Sequence, residues 1–192
     1  MYLKVTTQKL DCLQTLRLIS CALLFFFLIG CSTQYIITSD KYSQYAGEIN
    51  QHTRLIRAQR SRIFKMLTHE DTFKTICPQG TIVTYEPPLP YQVGTNVNTF
   101  IDHTFKLKWR SQVVALIPNE KIQLQFLDGF FAGGTEIWEL EPENGFTRAT
   151  HTFIVKPRGF IKKLIWSVKV RYKHDLMTEA FLDNLKRMAE TE

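Results

Sequence analysis

The sequence has few of the residue patterns that usually mark chemistry. Of its four cysteines, Cys12, Cys21 and Cys31 fall in or beside the first apolar run, and only Cys77 lies in the body of the chain. No C-x-x-C spacing occurs, so neither a zinc ribbon nor a dithiol redox motif is expected. The five histidines, His52, His69, His103, His151 and His174, include no H-x-x-x-H or H-E-x-x-H pair, and spacing gives a metal site no support. There is no G-x-S-x-G elbow. Gly133-Gly134 is followed by neither a helix nor a Lys-Ser/Thr pair, so it is not a phosphate loop. Basic residues exceed acidic ones, 24 to 18, but without forming a stripe. Of the net +6, +2 belongs to the first 30 residues, where Lys4, Lys9 and Arg17 face Asp11. Nucleic-acid binding is therefore not expected. Long polar tracts are also missing: 44% apolar and 12% aromatic residues, 14 of them Phe, suffice for the core of one ordinary domain.

The apolar run from Leu18 to Ile29 is 12 residues, the length of a signal-peptide core and short of a spanning helix. Basic residues precede it, and it ends in Leu28-Ile29-Gly30-Cys31-Ser32. An apolar residue, a medium one and Gly before Cys resemble the lipobox of bacterial lipoproteins. That resemblance implies a signal peptide over 1–30, a diacylglyceryl group on the Cys31 thiol and a polar tether over 31–45. Ser32 in place of Asp resembles the pattern sorted to the outer membrane in enterobacteria-like cells. The expected location is the periplasmic face of a membrane, held by the lipid anchor. An uncleaved signal anchor competes with this reading, because Tyr35-Ile36-Ile37 prolongs the apolar character to about 20 residues. With Cys31 lipidated, Cys77 has no partner for a disulfide.

Glu48 to Arg57 reads as a strand. Arg62 to Leu67 reads as a short helix capped by Ser61, and Asp71 to Ile76 as a second. Strands follow at Thr81–Tyr85, Thr95–His103, Leu107–Ile117, Lys121–Leu127, Thr135–Glu141 and Phe146–Val155. The clearest alternation puts Ile122, Leu124 and Phe126 opposite Lys121, Gln123 and Gln125. Glu143-Asn144-Gly145 is a hairpin turn. After Gly159 the period changes: Trp166, Val170, Met177, Phe181, Leu185 and Met188 mark one apolar face of a helix of about 30 residues. Its other faces carry Lys162, Lys163, Lys169, Arg171 and Lys173. The order predicts an α+β domain over 46–190, a strongly curved antiparallel meander wrapped round one long helix.

That order resembles the START-like superfamily, also called SRPBCC, the birch-pollen-allergen and polyketide-cyclase fold, a helix grip. Leu55-Ile56-Arg57-Ala58 before Arg62-Ile63-Phe64 resembles the family opening, though the usual Pro after Ala58 is missing. Gly134-Thr135-Glu136-Ile137-Trp138-Glu139-Leu140-Glu141-Pro142 resembles its W-x-(F/L)-x-P strand, and His151 to Gly159 its last strand end. These motifs are structural, and they reach from Glu48 to about Met188. The resemblance implies a cavity between sheet and helix that takes an apolar ligand. Expected lining residues are Trp109, Trp138, Trp166, Val170, His174, Met177 and Phe181.

Each candidate has a plain alternative. His174 lies beside the apolar face of the long helix, where it either packs at the core edge or enters the cavity as a hydrogen-bonding group. His52 and His151 lie on strands whose inward face the pattern does not fix. Phe130-Phe131 forms either a cavity lip or a hairpin tucked under the sheet, the second being the simpler reading. Glu136 and Glu139 point to opposite faces and do not cooperate. Three functions remain open: a membrane-tethered carrier of a lipid, isoprenoid or quinone-like molecule, an enzyme on a small apolar substrate, and an envelope interaction protein with a filled cavity. No catalytic residue and no cofactor is assigned, and a monomer is expected.

Overall fold

The computed structural model describes residues 40–102 and 106–191. Cys31, the expected signal peptide, most of the expected tether and His103 lie outside these residues. Seven strands form one antiparallel sheet in the order β1-β7-β6-β5-β4-β3-β2. They are β1 (Glu48–Ile56), β2 (Thr81–Glu86), β3 (Asn96–Ile101), β4 (Leu107–Ile117), β5 (Lys121–Phe126), β6 (Thr135–Glu143) and β7 (Phe146–Val155). Strands β2 to β7 are a plain meander. The first strand joins the far edge beside β7 because two helices, α1 (Arg60–Thr68) and α2 (Glu70–Ile76), carry the chain across the sheet before β2 begins. A terminal helix lies against the concave side: α3 (Phe160–Ile165), a π-helical stretch (Trp166–Val170) and α4 (Arg171–Glu190) follow without a break.

The strands form where period-two patterning meets turn chemistry. In β5 the buried residues are Ile122, Leu124 and Phe126, alternating with half-buried Lys121, Gln123 and Gln125. Asn144 (φ 48°) and Gly145 (φ 85°) supply the two left-handed residues that a tight hairpin between Glu143 and Phe146 requires. Strand β6 runs through Pro142 instead of stopping before it. Its last pair with β5 is Lys121–Glu139, so Pro142 sits where β6 has one neighbour and a missing N–H is tolerated. Helix α1 starts two residues earlier than Ser61 capping would allow, with Gln59 at the cap position and no side-chain cap bond.

Burial along β7 is nearly continuous because both its faces are covered. The helix covers one. On the other, Tyr42 is buried against Ile137 and Ile154, and its hydroxyl donates to Glu139 Oε2 at 2.6 Å. The stretch just before β1, read from sequence as the end of a tether, is thus fastened to the convex side of the sheet.

Inside, the helix joins two apolar clusters. Phe181, Leu182, Leu185 and Ala189 pack with Ile56, Ile63, Leu67, Val113 and Trp138. Trp166 packs with Trp109, Phe126, Phe131 and Phe153, with Val170 and Met177 at the margin. Leu182 and Leu185 are fully buried, and each contributes roughly 1.5–3 kcal/mol by leaving water. Phe131 is tucked under the sheet, edge-on to Trp109 and Phe153. Its loop is held tight by two glycines. A side chain at Gly129 (φ 76°) would meet the Lys108 carbonyl, and one at Gly134 the Ile154 carbonyl, each at 2.6 Å. The described residues belong to one compact unit, Ser39–Glu192.

Candidate functional site

Between the sheet and α4 the two clusters leave a cavity of about 100 Å³. Its roof is the inward stripe of α4, where His174, Met177, Thr178 and Phe181 recur at helical spacing. Its floor comes from the concave side of β4 to β7, with Trp109, Ser111, Leu124, Trp138 and Phe153. Phe73 and Cys77 from the α2 end, with Tyr85 and Tyr91, close one side.

Of the seven residues expected from sequence to line a cavity, the structure brings five to its wall: Trp109, Trp138, His174, Met177 and Phe181. Trp166 and Val170 lie elsewhere. Both belong to the aromatic cluster around Phe131, and the Trp166 indole donates to Glu48 Oε2 at 3.0 Å. The sequence did not mark the tyrosines, Phe73 or Glu136 as lining residues. Glu136 had a signal, because it shares a strand face with Trp138 and Leu140, but pattern alone did not say that this face is the inner one.

Among the described residues Glu136 is the one carboxylate in the cavity wall, and none of those lining it is Lys or Arg. Its Oε1 accepts from Trp138 Nε1 at 3.0 Å and lies 3.0 Å from His151 Nε2. Its negative charge is felt around the wall. Burial, and after it Glu136, pushes the Cys77 thiol up to about 12. Burial also raises the Tyr85 and Tyr91 hydroxyls, with Glu136 adding to both, so these groups are neutral donors. The Tyr85 hydroxyl donates to the Leu67 carbonyl at 2.9 Å.

His174 is buried with its ring centre 4.3 Å from that of Phe153 and 6.4 Å from that of His151. Burial, then the neighbouring His151, pushes it down to about 3, so it is a neutral imidazole in the physiological range. With its Nε2–H given to Glu136, His151 would present Nδ1 as a bare acceptor. Three buried side-chain atoms have no hydrogen-bond partner among the described residues: Thr81 Oγ1, His151 Nδ1 and His174 Nδ1. All three residues line this cavity.

Beside the cavity a polar clamp ties β1 to α4. His52 stands opposite His151 across the β1–β7 pair. Its Nδ1 bonds Glu179, and its Nε2 lies 2.8 Å from Asn50 Oδ1 and 3.3 Å from Asp175 Oδ1. Asn50 Nδ2 donates to Asp175 at 2.6 Å, and Arg54 reaches Glu179 and Asp183. Burial disfavours charge on His52, but the bonds to Asp175 and Glu179 outweigh it and raise its pKa. One atom each of His52, His174 and Asp175 lie within 4.8 Å of one another, a donor set that could hold a divalent ion. Spacing rules could not have shown this, since His52 is on the first strand and the other two are on the last helix. His52 and Asp175 already bond one another and Asn50, so these two are held in place without an ion.

No protein-family model matches the sequence, and no curated protein matches it. Solved structures do match in fold. The Aha1 dimer of Colwellia psychrerythraea superposes with a TM-score of 0.57 at 18% identity, over 75% of this chain and 97% of that one. The fold is a helix grip. The KanY protein shares this fold with a TM-score of 0.62 at 11% identity, over 76% of this chain and 99% of its own. TTHA0849 of Thermus thermophilus does so at 0.61 and 14%, over 73% and 95%. The cavity described above lies between the curved sheet and the terminal helix.

Proposed function

We propose that this chain is a membrane-tethered START-like carrier that holds a small, mainly apolar molecule with one polar end. The observation supporting this reading is that three residues lining one largely apolar cavity, Thr81, His151 and His174, each carry a buried side-chain atom with no partner among the described residues. A buried polar atom without a partner costs about 1–3 kcal/mol. Three around one space are accounted for by an occupant that bonds them. The occupant's apolar part meets Trp109, Trp138, Met177 and Phe181. Its polar end is a hydroxyl or similar group that can both donate and accept hydrogen bonds.

The volume limits the ligand. About 100 Å³ suits a ring or a short branched chain. Burying roughly 200 Å² of such a group is worth about 5 kcal/mol, an affinity between millimolar and micromolar. A whole lipid, isoprenoid or quinone requires α4 to swing outward. Tethering through a lipid on Cys31 is supported by the Leu28-Ile29-Gly30-Cys31 sequence.

Native mass spectrometry of the gently extracted chain tests the carrier reading. An apolar mass that is retained in the native spectrum and lost on denaturation is expected. An empty spectrum, with no shift in melting temperature against a panel of small lipids, terpenoids and quinones, would favour the envelope interaction protein instead. A second reading, an enzyme, is favoured by the Glu136–His151 pair, which could make His151 Nδ1 a general base facing the cavity beside neutral His174. Recovery of a chemically altered ligand after incubation, lost in His151→Gln, separates it from the carrier.

A further inference from the structure

The terminal helix is apolar on two sides. Trp166, Val170, His174, Met177 and Phe181 form the stripe that packs inward. A second stripe, Ile161, Ile165, Val168, Tyr172 and Leu176, recurs every three or four residues on the outside, with Phe160 and Leu164 beside it. None of these seven is buried: Phe160 is 79% exposed, Val168 73% and Ile161 71%. They make up seven of the fifteen large apolar side chains that stand exposed among the described residues. Helix α3 buries no side chain at all. An exposed apolar stripe of this size marks an interaction surface, and this one lies outside the core.

Charge identifies the partner. Between Glu143 and Asp175 the sequence has no acidic residue, while Lys156, Arg158, Lys162, Lys163, Lys169 and Lys173 are all exposed around the stripe. Arg171 is half-buried and bonds Glu48. A second copy of this chain would set cations against cations. Long lysine stems flanking large apolar side chains suit an interface of acyl chains below and anionic phosphates above. Among the described residues no helix is long and apolar enough to cross a membrane, so the segment would lie on a bilayer.

We infer that the outward face of Phe160–Leu176 docks on an anionic phospholipid membrane, with the apolar stripe in the acyl boundary and the lysines on headgroup phosphates. The site does not depend on what the cavity holds, nor on a lipid at Cys31. It also places the helix that roofs the cavity directly on the bilayer.

The full-length chain, reconstituted in vesicles containing a phospholipid with a diazirine in its acyl chain, tests this by mass-spectrometric mapping of adducts. With phosphatidylcholine and phosphatidylglycerol at roughly 7:3, adducts are expected within Phe160–Leu176 as well as in any membrane-embedded part of residues 1–39. In pure phosphatidylcholine, or with Lys162→Glu/Lys163→Glu/Lys169→Glu, the yield at Phe160–Leu176 should fall about tenfold or more. Phe160→Ser/Ile161→Ser/Val168→Ser should abolish it while keeping the melting temperature. If a variant fails to fold, the wild-type comparison between the two lipid compositions decides. Adducts confined to residues 1–39 in both compositions would overturn the inference. So would an unlabelled patch in a chain that mass photometry shows to be dimeric.

Discussion

His52 on β1 and His151 on β7 stand directly opposite each other in the sheet, yet their imidazoles belong to different networks. His52 binds Asn50, Asp175 and Glu179 and ties the sheet edge to α4. His151, in the cavity wall, turns to Glu136 and leaves Nδ1 without a partner among the described residues. One strand pair therefore carries both the fastening of the helix and the polar end of the candidate site.

The fastening should weaken as the medium becomes alkaline. The pKa of His52 is raised in the folded chain, while burial opposes ionisation of Asp175 and Glu179 but their bonds to His52 lower their pKa values on balance. A raised histidine stabilises the fold fully below its unfolded value of about 6.5, and that contribution is lost as pH rises through the folded value. Urea midpoints of wild type and His52→Gln should therefore differ most below about pH 6.5 and converge as the pH rises through the folded value. A gap that does not change with pH would show that His52 acts by packing alone.

The neighbouring His174 has the opposite sign. Burial, then His151, pushes it down to about 3, so the folded chain keeps it neutral where an unfolded chain would protonate it. From about pH 6.5 down to about 3, stability falls because the unfolded state binds the extra proton. Asp175 works against this and His52 adds to it. His174→Leu should flatten the loss of melting temperature between pH 7 and 4. An acid limb as steep as that of the wild type would assign the loss to the carboxylates instead.

Cys77 should be inert in the folded protein. With its thiol pushed up to about 12, the thiolate fraction at pH 8 is on the order of one in ten thousand. Iodoacetamide at pH 8 should leave Cys77 unmodified for hours and modify it within minutes in urea. Prompt native labelling would mean that the α2 end of the cavity opens readily.

How much of this was legible in the sequence depends on how local each feature is. Val97, Thr99 and Ile101 alternate, and that alternation correctly put them on one buried face of β3. The helix length was legible from Trp166, Met177, Phe181 and Leu185. The π-helical turn at Trp166–Val170 was not, because a shifted hydrogen-bond register leaves no compositional trace. The outward stripe was hidden for a related reason: once Trp166 and Val170 claim one face as core, Ile161, Ile165 and Val168 read as scattered apolar residues. In β6, Ile137 and Trp138 are both buried because Tyr42 covers the side away from the helix. Period two therefore could not say which way Glu136 points. The His52–His174–Asp175 cluster joins residues more than 120 positions apart, which no spacing rule reaches.

The most direct check on the cavity is to fill it. Ser111 lines the wall on β4, is 1% exposed, and makes only a long 3.5 Å bond to the Val97 carbonyl. In Ser111→Leu the added carbons have about 100 Å³ to enter. The apolar gain, about 0.8 kcal/mol for each buried methylene, exceeds the loss of so weak a hydrogen bond. The variant should therefore melt at or above the wild-type temperature while losing any co-purifying ligand. If instead it binds the ligand as wild type does, the ligand lies outside this cavity, and attention moves to the outer face of the helix. If it is destabilised by more than about 2 kcal/mol, the wall is rigid and the space is too narrow for any occupant larger than water.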